Sequence, residues 1–261
     1  MILPAEGQDM NRFMLDEIGK RDTFPLIWEA SETTEKGGKN IFDVNNARYL
    51  KYDTFSGGVS FATEDLVGCT MLAIISRTGA YIAHYWESIS FDTDADYTAL
   101  WEKYETQEEI FKATILDGLE KGEVRDRESL QDPLQGQAAN QINDASVRGF
   151  LIRPSYSAEE DAGTSAVGYR KQWDQIKEKV NSYIPELQQP NRWQEILHDP
   201  LDKTVEADAQ ILDTTARGKL LFKYDPKHPV APKSRQKTSM VKLWSETTEL
   251  HSDTWPAPIL K

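Results

Sequence analysis

Residues 66–86 constrain this chain more than any other stretch. Leu66, Val67, Gly68, Cys69, Thr70, Met71, Leu72, Ala73, Ile74 and Ile75 form its most apolar window. A polar link, Ser76-Arg77-Thr78-Gly79, leads to a second run, Ala80-Tyr81-Ile82-Ala83-His84-Tyr85-Trp86. Both runs are rich in β-branched or aromatic residues, and the link is a turn signal, so a β-hairpin is expected. The first run is far short of the ~20 apolar residues of a membrane-spanning helix. The only cysteine of the chain, Cys69, lies in one arm, and His84 lies in the other.

Loop length decides whether those two side chains can meet. A two-residue loop, Thr78-Gly79, sets His84 opposite Ala73. Cys69 is then four residues away, about 13 Å at ~3.3 Å per residue, too far for a hydrogen bond. A four-residue loop from Ser76 to Gly79, with Gly79 supplying a positive φ, sets His84 opposite Met71. Cys69 then becomes its diagonal neighbour on the same face, roughly 7–8 Å away at Cα. The catalytic reading therefore requires a loop of four residues or an equivalent bulge.

The residue types suit acyl chemistry on an amide. A free thiol has a pKa near ~8.5, so little is thiolate at neutral pH. A neighbouring imidazole can pair with the thiolate and later protonate the leaving ammonia or amine. Gly68 allows a sharp bend and close approach to a substrate. The backbone N–H groups around Gly68, Cys69 and Thr70 can stabilise a tetrahedral oxyanion. A third group that orients the imidazole is sought just upstream, in the hydroxyls of Ser60 or Thr63 or a carbonyl near Val59. A lone cysteine and a strand histidine equally suit a packed core without chemistry.

Leu66-Val67-Gly68-Cys69-Thr70, an apolar strand, a turn, and His84 fifteen residues after Cys69 resemble the catalytic segment of the cytotoxic necrotizing factor deamidases. That family shares a Cys–His glutamine-deamidase core with the chemotaxis-receptor deamidases and related bacterial toxins. The resemblance implies Cys69 as nucleophile, His84 as base and Gly68-Cys69-Thr70 as the surrounding element. For the third group it implies a backbone carbonyl near Val59, as in the toxin branch, or the Thr63 hydroxyl, as in the chemotaxis branch. It implies a β-sandwich or bent sheet with helices outside. Val67 departs from the family pattern, where a small polar residue is expected.

The chain has 261 residues, with 30 Lys and Arg against 43 Asp and Glu, a formal charge of −13. That balance argues against nucleic acid and against an anionic membrane surface. A single cysteine forms no internal disulfide and no zinc site of the usual kind, so neither metal nor cofactor is expected. The residues after Met1 lack a basic start and a long apolar run, so no signal peptide is expected. A cytoplasmic protein or a processed secreted effector is consistent with this.

Elsewhere the pattern predicts a short helix over 11–18, a strand over 41–44 and a break at Ser56-Gly57-Gly58. Thr106-Gln107-Glu108-Glu109 reads as a capping box. It opens a helix with Ile110, Phe111, Ile115, Leu116 and Leu119 on one face and a stop at Gly122. A shorter helix carries Tyr97, Leu100, Trp101 and Tyr104. Loops are expected over 123–145 and 155–165, a strand over 147–153, and a helix over 167–184. Residues 193–197 are read as one or two helical turns. His198-Asp199-Pro200 is read as a turn rather than a dyad. Strands follow over 218–224 and 240–244, separated by a basic, Pro-rich loop containing His228, and the tail around Trp255 lies extended.

Together these elements predict an α+β fold, with a mixed, mostly antiparallel sheet or β-sandwich core flanked by helices. The spread of strands favours a single domain over 1–261. Three functional classes remain open: a Cys–His thiol hydrolase deamidating glutamine on a protein or peptide, with transglutamination as a side reaction; a Cys–His peptidase, amidase or isomerase; and a binding protein with Cys69 and His84 in its core.

Overall fold

The computed structural model describes residues 1–20, 34–36, 39–41, 45–95, 97–122, 128–131, 138–155, 168–231 and 234–257. Their helices and two mostly antiparallel sheets make an α+β fold. The chain divides into two compact units. One comprises Met1–Leu26, Lys51–Val67 and Leu201–Lys261; the other comprises Ile27–Leu50 and Gly68–Pro200.

The strands are β1 (Thr34–Lys36), β2 (Lys39–Ile41), β3 (Asn46–Lys51), β4 (Val59–Thr63), β5 (Thr70–Ile75), β6 (Gly79–Tyr85), β7 (Arg148–Pro154), β8 (Trp193–His198), β9 (Leu220–Pro229), β10 (Lys237–Ser245) and β11 (Thr248–Pro256). β1 and β2 form a separate antiparallel pair.

The unit containing Cys69 is built on a five-stranded sheet in the order β3-β6-β5-β7-β8. β5 is its centre, antiparallel to β6 and to β7. Every residue of β5 and β6 is buried, which explains their unbroken apolar character. β8 runs parallel to β7, and the helix Arg170–Tyr183 lies between them in sequence, as a parallel connection requires. That helix buries Trp173, Ile176 and Val180 in a cluster with Leu72, Ile74, Tyr85 and Leu151. The Trp173 indole N–H donates to Thr70 Oγ1 at 3.1 Å, and the Arg153 guanidinium lies 4.2 Å from the Trp173 ring centre.

The capping box at Thr106 forms in both directions, and the helical run continues to Lys121, with Gly122 at φ +63° as its stop. Ile110, Phe111, Ile115 and Leu119 are buried. A π-helical turn interrupts the run at Lys112–Leu116. Its Thr114 meets the buried Asn45: Asn45 Nδ2 donates to the Thr114 carbonyl at 3.1 Å and to Ser90 Oγ at 2.7 Å. The expected helix over 97–104 shrinks to one turn, Thr98–Trp101.

Several expectations need correction. Residues 193–197 are not helical; they form β8, paired with β7 from Gly149↔Trp193 to Pro154↔His198. A short segment with apolar residues carries no periodicity that separates the two states, and here a neighbouring strand supplied the partner. His198 therefore ends a strand and is buried. Gly79 is not needed for a positive φ: a Cβ there would lie 2.8 Å from the Leu50 carbonyl oxygen and 2.9 Å from the Tyr49 ring. Close approach of β3 makes it glycine.

The other unit is built on an antiparallel sheet in the order β11-β10-β9-β4. The expected helix near the N-terminus spans Met10–Ile18, with Asp9 accepting from the Asn11 N–H as its cap. Lys223 and Glu17 form a buried ion pair, joined by Lys20. Tyr52 stacks on Tyr224 with ring centres 3.9 Å apart. β9 runs on to Pro229, so the expected Pro-rich loop is shorter than its sequence suggests. The extended tail is a full strand, β11, paired with β10. A helix at Glu206–Thr214 has no counterpart in the sequence reading.

Residues 42–44 and much of the loops expected at 123–145 and 155–165 lie outside the described residues. Among the described residues, no helix is long and apolar enough to cross a membrane.

Gly149 provides a direct test of the β7–β8 packing. A Cβ there would lie 2.6 Å from the Trp193 ring. Gly149→Ala is expected to destabilise by about 1–3 kcal/mol through overpacking, read as a lower urea midpoint. An unchanged midpoint would show that the ring moves aside freely.

Candidate thiol–imidazole site

The hairpin turns through four residues. The Ser76 N–H donates to the Gly79 carbonyl at 2.9 Å, and Ser76 Oγ accepts from the Thr78 N–H at 3.1 Å. Ile75 pairs with Ala80, and that register sets Met71 opposite His84. This is the alignment that the catalytic reading requires.

Facing follows from contacts on the opposite side. Thr70 meets Trp173, and Tyr85, its cross-strand partner, joins the same helix-covered cluster. Side chains alternate along a strand, so Cys69, Met71 and His84 point to the other face. Cys69 is 6 % exposed and His84 is 0 % exposed. Both residues are buried, Cys69 slightly less completely.

Burial, and secondarily the charge of His198, push the His84 imidazole down from 6.5 to about 3. Its resting form at neutral pH is therefore the neutral ring. This departs from the resting thiolate–imidazolium pair suggested by the residue types. Trp86 stacks on it, with ring centres 4.4 Å apart and an interplanar angle of 13°. The Trp86 indole N–H donates to Asn46 Oδ1 at 3.3 Å, and its backbone N–H donates to Asn45 Oδ1 at 2.9 Å. Asn45 is the residue anchored to the π-helical turn, so this local irregularity holds the wall of the imidazole. π-turns inside helices frequently accompany functional sites.

The depressed His84 pKa has a sign that can be measured. As pH falls from about 6.5 to about 3, the unfolded chain takes up a proton that the native imidazole refuses. Stability is therefore fully present above 6.5 and falls through that window, by on the order of 5 kcal/mol. His84→Asn should flatten the dependence of the urea midpoint on pH between 6.5 and 3. Equal slopes in both proteins would contradict the assignment.

The carboxylate of Glu87 occupies the space beside Gly68. A Cβ there would lie 1.6 Å from Glu87 Oε2, while Glu87 Oε1 accepts from the Tyr169 hydroxyl at 2.9 Å. Burial, reinforced by the Glu87 charge, pushes the Tyr169 phenol up, so it remains a donor. Sequence reasoning assigned Gly68 to close substrate approach and overlooked Glu87, which the chain brings back through the helical turn Glu87–Ser90.

Val59, Ser60 and Thr63 lie on β4 of the other unit, where they pair with Tyr224, Lys223 and Leu220 of β9. Within the unit holding Cys69 and His84, Trp86 lies against the imidazole. It also supplies a histidine that sequence reasoning set aside. His198 Nε2 lies 3.0 Å from the Cys69 carbonyl oxygen. A cavity of about 310 Å³ lies in the unit holding β4, lined in part by Leu15, Ile18, Glu64, Asp65 and Leu212. No family model, no curated protein and no solved structure matches this chain.

Proposed function

We propose that the chain is a Cys–His thiol hydrolase that deamidates a glutamine side chain on a protein or peptide. The observation that carries this reading is the register Met71↔His84; carried one residue past Thr70, it sets Cys69 diagonal to His84 on one face. The resemblance of Gly68-Cys69-Thr70 and His84 to the deamidase segment supplies the substrate class.

In this reading the Cys69 sulfur attacks the carboxamide carbon, and His84 accepts the thiol proton. The C–N bond breaks as His84 passes that proton to the departing ammonia, leaving a thioester on Cys69. Water, deprotonated by His84, attacks the thioester; the product is a carboxylate, and the thiol is restored. An amine in place of water gives transglutamination. Backbone N–H groups around Gly68, Cys69 and Thr70 would hold the oxyanion.

The full burial of His84 favours a second reading, a core pair without chemistry. Incubation with glutamine-containing proteins and peptides separates the two. Deamidation predicts ammonia release matched by glutamate in the substrate, both absent with Cys69→Ser. Peptide-bond cleavage without ammonia would make the protein a peptidase instead. Neither product from any substrate would favour the core reading.

A further inference from the structure

The geometry points to His198 as a positioning residue of the thiol site, one that fixes the Cys69–Thr70 peptide and strengthens its N–H. This rests on the thiol-hydrolase reading above. Four observations lead to it.

The first is the hydrogen bond itself. A carbonyl oxygen only accepts, so His198 Nε2, 3.0 Å from the Cys69 oxygen, must carry the proton and donate. Both residues are buried, His198 being 3 % exposed, where water offers little competition and such a bond is electrostatically stronger.

The second is what stands between them. β7 separates β5 from β8. Continuing the β5–β7 register from Met71↔Ile152 by two residues sets Pro154 against Cys69. Proline has no N–H, so β7 cannot donate to the Cys69 carbonyl at that position. Pro154 pairs in turn with His198 on β8, and the imidazole reaches over to supply the missing donor.

The third is facing. Arg153 lies over Trp173 on the helix-covered side. Alternation turns Pro154 and its partner His198 to the opposite face, which Cys69 and His84 share. The charge of His198 is also felt at His84, as this common face requires.

The fourth is consequence. The Cys69 carbonyl and the Thr70 N–H belong to one planar peptide. A donor on the oxygen polarises the whole group and makes the N–H a better donor. It also fixes the peptide plane next to the nucleophile, hence the direction of the Cα–Cβ bond that carries the sulfur. No proton is transferred by His198; its part is geometric and electrostatic.

The experiment compares wild type, His198→Leu and His198→Gln. Glutamine retains a side-chain N–H donor of similar reach; leucine fills the space without one. Three readouts are taken on each protein: the rate of iodoacetamide alkylation of Cys69, kcat and KM for glutamine deamidation, and the Thr70 amide nitrogen shift by NMR. Expected are a kcat and alkylation rate lowered about 10–100-fold in His198→Leu, at unchanged KM, with an altered Thr70 shift. His198→Gln is expected to recover most of the rate and the wild-type shift. Equal rates in His198→Leu and wild type would overturn the role of His198 while leaving the hydrolase reading intact. A shift and rate that glutamine does not recover would overturn it too, since a lost donor would not be the cause. A wild-type thiol inert to iodoacetamide in the folded protein would overturn both.

Discussion

Cys69→Ser is expected to lower deamidation by at least about 10³-fold while leaving the urea midpoint within about 1 kcal/mol of wild type. The sulfur is the only nucleophile in the proposed site. A serine hydroxyl ionises far less readily than a thiol and is the weaker nucleophile at neutral pH. The stability effect is small because the two side chains are nearly isosteric and Cys69 lies at the margin of the sheet, just before β5 begins. Steady-state ammonia release and denaturant unfolding on the same preparations check both parts. A large loss of activity together with a large loss of stability would mean that Cys69 serves packing instead.

Trp173→Ala should give the largest loss of stability, about 3–5 kcal/mol. The ring is 0 % exposed and packs at the centre of the cluster beneath the five-stranded sheet. Its removal also deprives Thr70 Oγ1 of a donor and leaves the buried Arg153 without the ring it covers. Arg153 keeps its ion pair with Glu195, where Lys177, Arg153 and Arg170 oppose the cost of burial and hold the carboxyl at about 2. That restrains the charge but not the cavity. Because Thr70 follows Cys69 directly, the substitution is expected to slow Cys69 alkylation as well. Thermal unfolding and alkylation rate measured on one sample test the coupling. A stable variant with wild-type reactivity would break the proposed link between the helix and the thiol.

The parts of this arrangement legible in sequence are those set by local rules. A hairpin loop has few lengths, and only one of those weighed brings Cys69 within reach of His84. The capping box at Thr106 is a contact between residues three apart and needs nothing from the rest of the chain. The stop at Gly122, with its positive φ, is similarly local. What stayed hidden depends on distant partners. The 193–197 segment is a strand because β7 lies beside it. Gly79 is glycine because the Leu50 carbonyl comes close, and Glu87 comes to lie beside Gly68; nothing near them in sequence announces either. His198 looked like the start of a turn before Pro200. Its signal was the run Trp193-Gln194-Glu195-Ile196-Leu197, whose final residue, read as strand, turns His198 inward. The wall of the imidazole could have been anticipated, since Trp86 follows His84 by two residues and so faces the same way. The third group was sought in Val59, Ser60 or Thr63, on a strand of the other unit. Within the unit of Cys69, Trp86 stacks on the ring and is held through its indole N–H by Asn46.

The central claim is that one imidazole makes one thiol reactive in the folded state. Alkylation of the native protein by iodoacetamide, followed by mass spectrometry, tests it most directly. The account predicts a single adduct on Cys69 that forms under native conditions and is lost or strongly slowed in His84→Ala. An adduct that forms only after unfolding, or at the same rate without His84, would contradict it.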